Sequence, residues 1–285
     1  MDRFKATKVA GLLGIGGNIF LLIIKAYIGF ISKSQAMISD SVNSAADIFA
    51  SLMTFIGNKI ASEPKDADHN FGHGKAEYIF SLFISISMII ASIKLIFNSI
   101  SSLIHYNSFE FSWILVIVCV VTIIVKFILF IYTKFLANIH KNILLESSYQ
   151  DHRNDCIVTS FTLISILFSL INIYWVDGIV GTAISLWICF SGIKIFIESY
   201  NVLMDICIDS DTQNKILNLA KEFKDIKSVD NISSTPIGYK YLIVLTIMVD
   251  GNMSTFKRHK LADDLEDKIL ELDRIENVIV HVEPI

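Results

Sequence analysis

Two pairs of oxygen-bearing side chains sit four residues apart inside long apolar stretches: Asn43 and Asp47 in AMISDSVNSAADIFASL, and Asp151 and Asp155 in YQDHRNDCIVTS. On a helix of 3.6 residues per turn, that spacing puts both members of a pair on one face. Asp40, Asn43, Ser44 and Asp47 together fall at i, i+3, i+4 and i+7, while Met37, Ile38, Ile48, Phe49 and Leu52 clothe the rest of the helix. Carboxylates in an apolar segment of membrane length are costly, and they mark an ion path or a proton relay. Polar contacts between neighbouring helices are the other use of such residues. An amide alone would serve that purpose. Carboxylates on two helices carry too much negative charge unless they hold a cation or protons, so the pattern points to one shared cation site. Oxygen donors with no imidazole and no thiolate suit a hard divalent ion such as Mn²⁺ better than Zn²⁺, which prefers nitrogen and sulfur. Asp40 belongs either behind the ligands or in the access cavity.

Other polar groups are less decisive. The connection PKDADHNFGHGKAE, Pro64 to Glu77, brings together Asp66, Asp68, His69 and His73. Two histidines four apart with a nearby aspartate can bind a metal, but in a solvated loop they serve equally as caps and surface groups. His259, His281 and Glu283 are sparser still. Lys25, Lys94, Lys126 and Lys194 lie within apolar runs, where a long cation is expected to snorkel to the nearest interface, and cation binding needs none of them. Cys119, Cys156, Cys189 and Cys207 show no CxxC spacing and read as small hydrophobes. No nucleophile–base constellation or cofactor motif supports an enzyme.

The elements that must position these residues follow from composition. Of 285 residues, 53% are hydrophobic and 18% charged, and the mean hydropathy is +0.57. That is an integral membrane composition. A net charge of -4 with scattered basic residues excludes a nucleic-acid surface. Runs long enough to cross a bilayer fall at about Val9–Ile31, Ala36–Ile60, Ala76–Leu103, Trp113–Lys134, Leu145–Ile171 and Asp177–Tyr200, giving about six spans. The first exceeds a signal-peptide apolar core and lacks a small-residue cleavage site. Arg3, Lys5, Lys8, Lys59, Lys65, Lys75, Lys134 and Lys141 flank one set of ends, and only Lys33 the other. The positive-inside bias therefore places both termini in the cytoplasm, as expected of a multi-pass protein of the cell membrane.

After Asp205 charged residues become frequent. Thr212–Phe223 and Ser254–Leu272 are amphipathic at helical period, and Tyr241–Val249 and Val278–Val282 are rich in β-formers. With a weaker strand near Ser228–Ser233 the order is αββαβ, two helices on one face of a small sheet. The expected domains are 1–204 in the membrane and 205–285 outside it.

With these motifs assembled, the whole chain resembles the cation diffusion facilitator family of proton-coupled divalent metal exporters. SDSVNSAADIFASL in the second span, HNFGHGKAEYIFSL leading into the third, DHRNDCIVTS in the fifth and the closing VIVHVEPI carry the resemblance. It implies homodimers with a ferredoxin-like cytoplasmic domain. It also implies a transport site at Asn43, Asp47, Asp151 and Asp155, and an accessory site at Asp66, His69 and His73. The binuclear site of the family's cytoplasmic domain maps in part, onto His259, His281 and Glu283, because the positions near Val229 and at Thr246 offer no imidazole. A charge pair near the membrane surface maps onto Lys75 and Asp205. The Asn–Asp with Asp–Asp pattern is similar to the bacterial manganese branch, implying Mn²⁺/H⁺ antiport, with Zn²⁺, Fe²⁺, Co²⁺ or Cd²⁺ as alternative cargo. A non-transporting metal sensor or scaffold is the reading from another class.

Overall fold

The computed structural model describes residues 2–32, 35–105, 113–169 and 175–285. It divides into two compact units, one of Met1–Glu63 with Ala76–Ser199 and the other of Pro64–Lys75 with Tyr200–Ile285.

The first unit is helical: α1 Arg3–Ser32, α2 Gln35–Ala61, α3 Ala76–His105, α4 Trp113–His140, α5 Ile143–Ser169 and α6 Trp175–Leu203. Each has 27 to 30 residues, enough at about 1.5 Å per residue to cross a hydrocarbon layer of about 30 Å. Among the described residues, four segments are also apolar enough by composition: Arg3–Ile28, Ala76–Ser101, Trp113–His140 and Ser185–Leu203. Large apolar side chains such as Phe30, Phe97, Ile128 and Phe190 face outward, as lipid-facing positions do.

Small and polar residues fill the seams between these helices, because apolar side chains gain little by leaving lipid for a neighbouring helix. Gly14 of α1 lies so close to α2 that a Cβ there would stand 2.7 Å from Ser51 Oγ. Thr54 of α2 and Ser148 of α5 share a hydrogen bond of 2.8 Å. At one end of the unit, Arg3 donates both terminal nitrogens to the carboxylate of the buried Glu77, each at 2.6 Å. Asn142 donates to the same carboxylate at 3.1 Å. Its own side-chain oxygen accepts from the backbone N–H of Leu144 and Leu145, capping α5. One ion pair thus ties α1, α3 and the start of α5 together.

The second unit contains α7 Ser210–Glu222, β1 Ile226–Ile237, β2 Lys240–Val249, α8 Thr255–Leu270 and β3 Ile275–Pro284. This is the expected αββαβ order, with the first strand longer at both ends than its apolar pattern suggested. Pairing with β2 along nearly its whole length extends it. The sheet order is β1-β2-β3, antiparallel between β1 and β2 and parallel between β2 and β3. Alternation on β2 buries Ile243, Leu245, Ile247 and Val249 completely. Against them pack Ile216 and Ala220 of α7 and Leu261, Leu265 and Ile269 of α8, the latter spaced one helical turn apart. Asp209 and Ser254 cap the two helices. Asp209 accepts from the Thr212 N–H at 2.9 Å, and that bond and the Thr212 hydroxyl hold its carboxyl below the usual range.

The connection 64–75 belongs to this unit through a close approach. A Cβ on Gly74 would stand 3.0 Å from the Cα of Gly238, which occupies the β1–β2 turn at a φ of +61°. Glycine is required on both sides of that contact.

Candidate functional site

The apolar helices bring three of the four sequence-identified ligands to one place. Asp47 of α2 and Asp151 and Asp155 of α5 line a cavity of about 160 Å³, together with Asn154, Met88 and Asn98. The cavity walls come from α2, α3, α5 and α6. Asn43 and Asp40 lie on α2, but their side chains fall outside the described residues. The α2 turn that presents Asp47 is held from α1, where the buried Asn18 donates to the Asp47 carbonyl and to Ser51 Oγ, each at 3.1 Å.

Lys126 of α4 corrects a sequence-based expectation. It does not snorkel: its side chain is 1% exposed, and its Nζ donates to Asp47 Oδ2 at 2.7 Å and to Asp155 Oδ2 at 2.5 Å. Two carboxylates nearby make the buried position cheaper for the ammonium than the route to an interface. Lys25 is buried as well, at 4% exposure. Lys94, by contrast, lines the cavity and is exposed.

His152 is a nitrogen donor beside these carboxylates that the sequence reading did not single out. One ring nitrogen and one carboxylate oxygen from each of Asp151 and Asp155 all lie within 4.8 Å of one another. The imidazole is 2% exposed. Helical spacing hid it, since adjacent residues point about 100° apart and His152 was not assigned to the Asp151 face. The signal available was its place inside DHRND, beside a candidate ligand. On its other flank, Arg153 stacks over Trp187 of α6 at 4.4 Å and donates to Ser191. α5 is thereby fixed against α6.

The connection 64–75 holds a second cluster, Asp66, His69 and His73. Asp66 accepts from the backbone N–H of Asp68 and His69 and from the His69 ring. His73 Nε2 stands 3.5 Å from Asp66 Oδ2. Desolvation is the largest single influence on Asp66 and opposes its ionisation, but the His69 N–H and ring and the Asp68 N–H together outweigh it, so its carboxyl sits below the usual range. These bonds form an Asx turn and a preformed donor set at once. Lys75 donates to Asp205 at 2.7 Å, with both side chains well exposed.

In the sheet unit, His259 lies 3.5 Å from Asp263, and His281 lies 3.3 Å from Glu283. Among the described residues His259, His281 and Glu283 do not form a three-ligand cluster. His281 pairs with Thr246 across the sheet, where a hydroxyl stands instead of an imidazole.

Comparison with known proteins agrees with this architecture. The profile of the cation efflux transmembrane domain matches residues 12–204, and that of the cation efflux protein cytoplasmic domain matches 208–285. The chain is 27% identical to an uncharacterized transporter of Methanocaldococcus jannaschii, over 95% of this chain and 96% of that one. It is 26% identical to the manganese efflux system protein MneS of Bacillus subtilis, over 100% and 98% of the two chains. It is 25% identical to the magnetosome protein MamM of Magnetospirillum gryphiswaldense, over 96% and 87%. With both domain profiles matched in order along almost its whole length, the chain belongs to the cation diffusion facilitator family of multi-pass membrane cation efflux transporters.

Proposed function

We propose that this protein exports Mn²⁺ from the cytoplasm in exchange for protons, by alternating access, with Asn43, Asp47, Asp151 and Asp155 as the ligands. One observation carries the assignment of the site. Asp47 and Asp155, from helices far apart in sequence, converge on a single cation, the Lys126 ammonium, and with Asp151 they line one cavity. Side chains arranged to hold one buried cation are suited to bind a second on their remaining oxygens. Protons are the counter-ion because a bound metal favours ionised carboxylates, whereas an emptied, desolvated site favours their protonation.

Carboxylate and amide oxygens support Mn²⁺ as cargo, as does the likeness to a manganese efflux protein. The proximity of His152 to Asp151 and Asp155 favours a second reading, in which Zn²⁺, Fe²⁺ or another borderline ion is carried. The basic residues flanking one set of helix ends support cytoplasmic termini. The match of residues 208–285 to the family's cytoplasmic domain supports a homodimer joined through that domain. Asp66, His69 and His73 supply an accessory metal site in this reading, and His259, His281 and Glu283 bind metal weakly or not at all.

Competition among Mn²⁺, Zn²⁺, Fe²⁺, Co²⁺ and Cd²⁺ for uptake into vesicles containing the purified protein tests the cargo. Mn²⁺ is expected to be preferred. Asp151→His is expected to shift preference toward Zn²⁺ by tenfold or more, about 1.4 kcal/mol, by trading a hard oxygen for a borderline nitrogen. An unchanged preference in that variant would place selectivity elsewhere.

A further inference from the structure

Lys126 is a charge that the exchange of metal for protons does not require, yet it occupies the centre of the site. We propose that Lys126 is a tethered cation that shares Asp47 and Asp155 with the transported ion, holding the emptied site together and weakening its grip on metal so that the ion can leave. The inference rests on the transport site assigned above and adds a role for a residue of α4.

Geometry supports sharing rather than simple occupation. The ammonium engages one oxygen, Oδ2, of each carboxylate, leaving each a second oxygen. Lys126 does not line the cavity, and α4 contributes none of its wall. The ammonium therefore meets the carboxylates from the α4 side, whereas an ion in the cavity meets them from the side of α3 and α6. Asp47 and Asp155 remain partly exposed, at 18% and 27%, while Lys126 is closed off at 1%.

Two consequences follow. A divalent ion bound to Asp47 and Asp155 lies a few ångströms from a fixed positive charge, and in a low-dielectric bundle that repulsion is strong. Its binding is correspondingly weaker than three carboxylates alone would give. When the ion departs, the carboxylates do not face an apolar bundle unpaired, a state that is expensive for each of them. The helices α2, α4 and α5 stay pinned together through the same two bonds. An exporter needs both properties, because it must release cargo and then return empty.

The test is equilibrium binding of Mn²⁺ to the purified full chain at one fixed pH, with Lys126→Met, Lys126→Gln and Lys126→Arg beside the wild type. Affinity should follow charge and not shape. The methionine and glutamine variants are expected to bind about tenfold more tightly or better, and the arginine variant to stay near wild type. In vesicles the first two should show a lower KM together with a lower maximal flux, because release is slowed. Recovery of Lys126→Met only when Mn²⁺ is supplied would also support the role, the ion replacing the missing ammonium. Binding no tighter in Lys126→Met and Lys126→Gln than in wild type, or equal tightening by arginine, would overturn it. So would failure of the neutral variants to fold with or without Mn²⁺, which would make the pair purely structural. Wild type that neither binds nor moves Mn²⁺ would remove the Mn²⁺ reading of the site, a result distinguishable from any of these.

Discussion

Asn18 of α1 reaches across to α2 and donates to the backbone carbonyl of Asp47 at 3.1 Å. A fully buried amide spent on the main chain of a candidate ligand fixes the height and rotation of the turn that presents it. Asn18→Ala removes this bond and the one to Ser51. It is expected to cost about 1–3 kcal/mol of stability and to lower metal flux with no ligand removed. Thermal unfolding in detergent and vesicle flux, measured together, check it. Full flux with an unchanged unfolding temperature would make the bond incidental.

The buried ammonium changes what ligand deletions should do. Either Asp47→Ala or Asp155→Ala removes a proposed ligand and is expected to abolish transport, but each leaves Lys126 one of its two bonded carboxylates. Removing both leaves the ammonium without either, and the double variant is expected to lose about 3–5 kcal/mol. Adding Lys126→Met to the double variant should restore most of that loss. Denaturant unfolding of the single, double and triple variants reads the coupling directly. A double variant as stable as wild type would show that the pairs carry no net energy.

At the sheet unit, pH dependence follows from the cap of α7. The Asp209 carboxyl is held below its ordinary value by the Thr212 N–H and hydroxyl, so its contribution is fully present above the ordinary carboxylate range, near pH 4. It falls away as pH drops through the lower folded value. Asp209→Ala should cost about 1 kcal/mol at neutral pH and remove that acid-side loss. Hydrogen exchange of the first turn of α7, followed from pH 7 downward in wild type and variant, checks the sign. Equal protection of the two proteins at neutral pH would contradict it.

The sequence exposes the site unevenly, and the reason differs by residue. Asp47, Asp151 and Asp155 were legible because a carboxylate in an apolar helix has few other uses, and spacing alone put them on shared faces. The αββαβ order was legible because Ile243, Leu245, Ile247 and Val249 alternate, while Leu261, Leu265 and Ile269 repeat at helical period. Lys126 was not, since a lysine in an apolar run either snorkels or pairs, and the choice depends on which helix lies opposite. α4 and α5 meet through packing that no local pattern encodes. Assignment of residues 64–75 to the sheet unit was hidden for the same reason, since Gly74 meets Gly238 across more than half the chain.

Mn²⁺-driven proton movement is the most direct measurement of the exchange. The purified protein is placed in vesicles with a pH-sensitive dye inside, and a Mn²⁺ gradient is imposed with no pH gradient at the start. Proton movement opposite to Mn²⁺ is expected, together with Mn²⁺ flux that weakens as pH falls on the side from which the metal is taken up, because protons then compete for Asp47, Asp151 and Asp155. Asp155→Asn should abolish both fluxes. Mn²⁺ flux that proceeds without any proton movement and ignores pH would contradict the exchange, and full flux in Asp155→Asn would contradict the site.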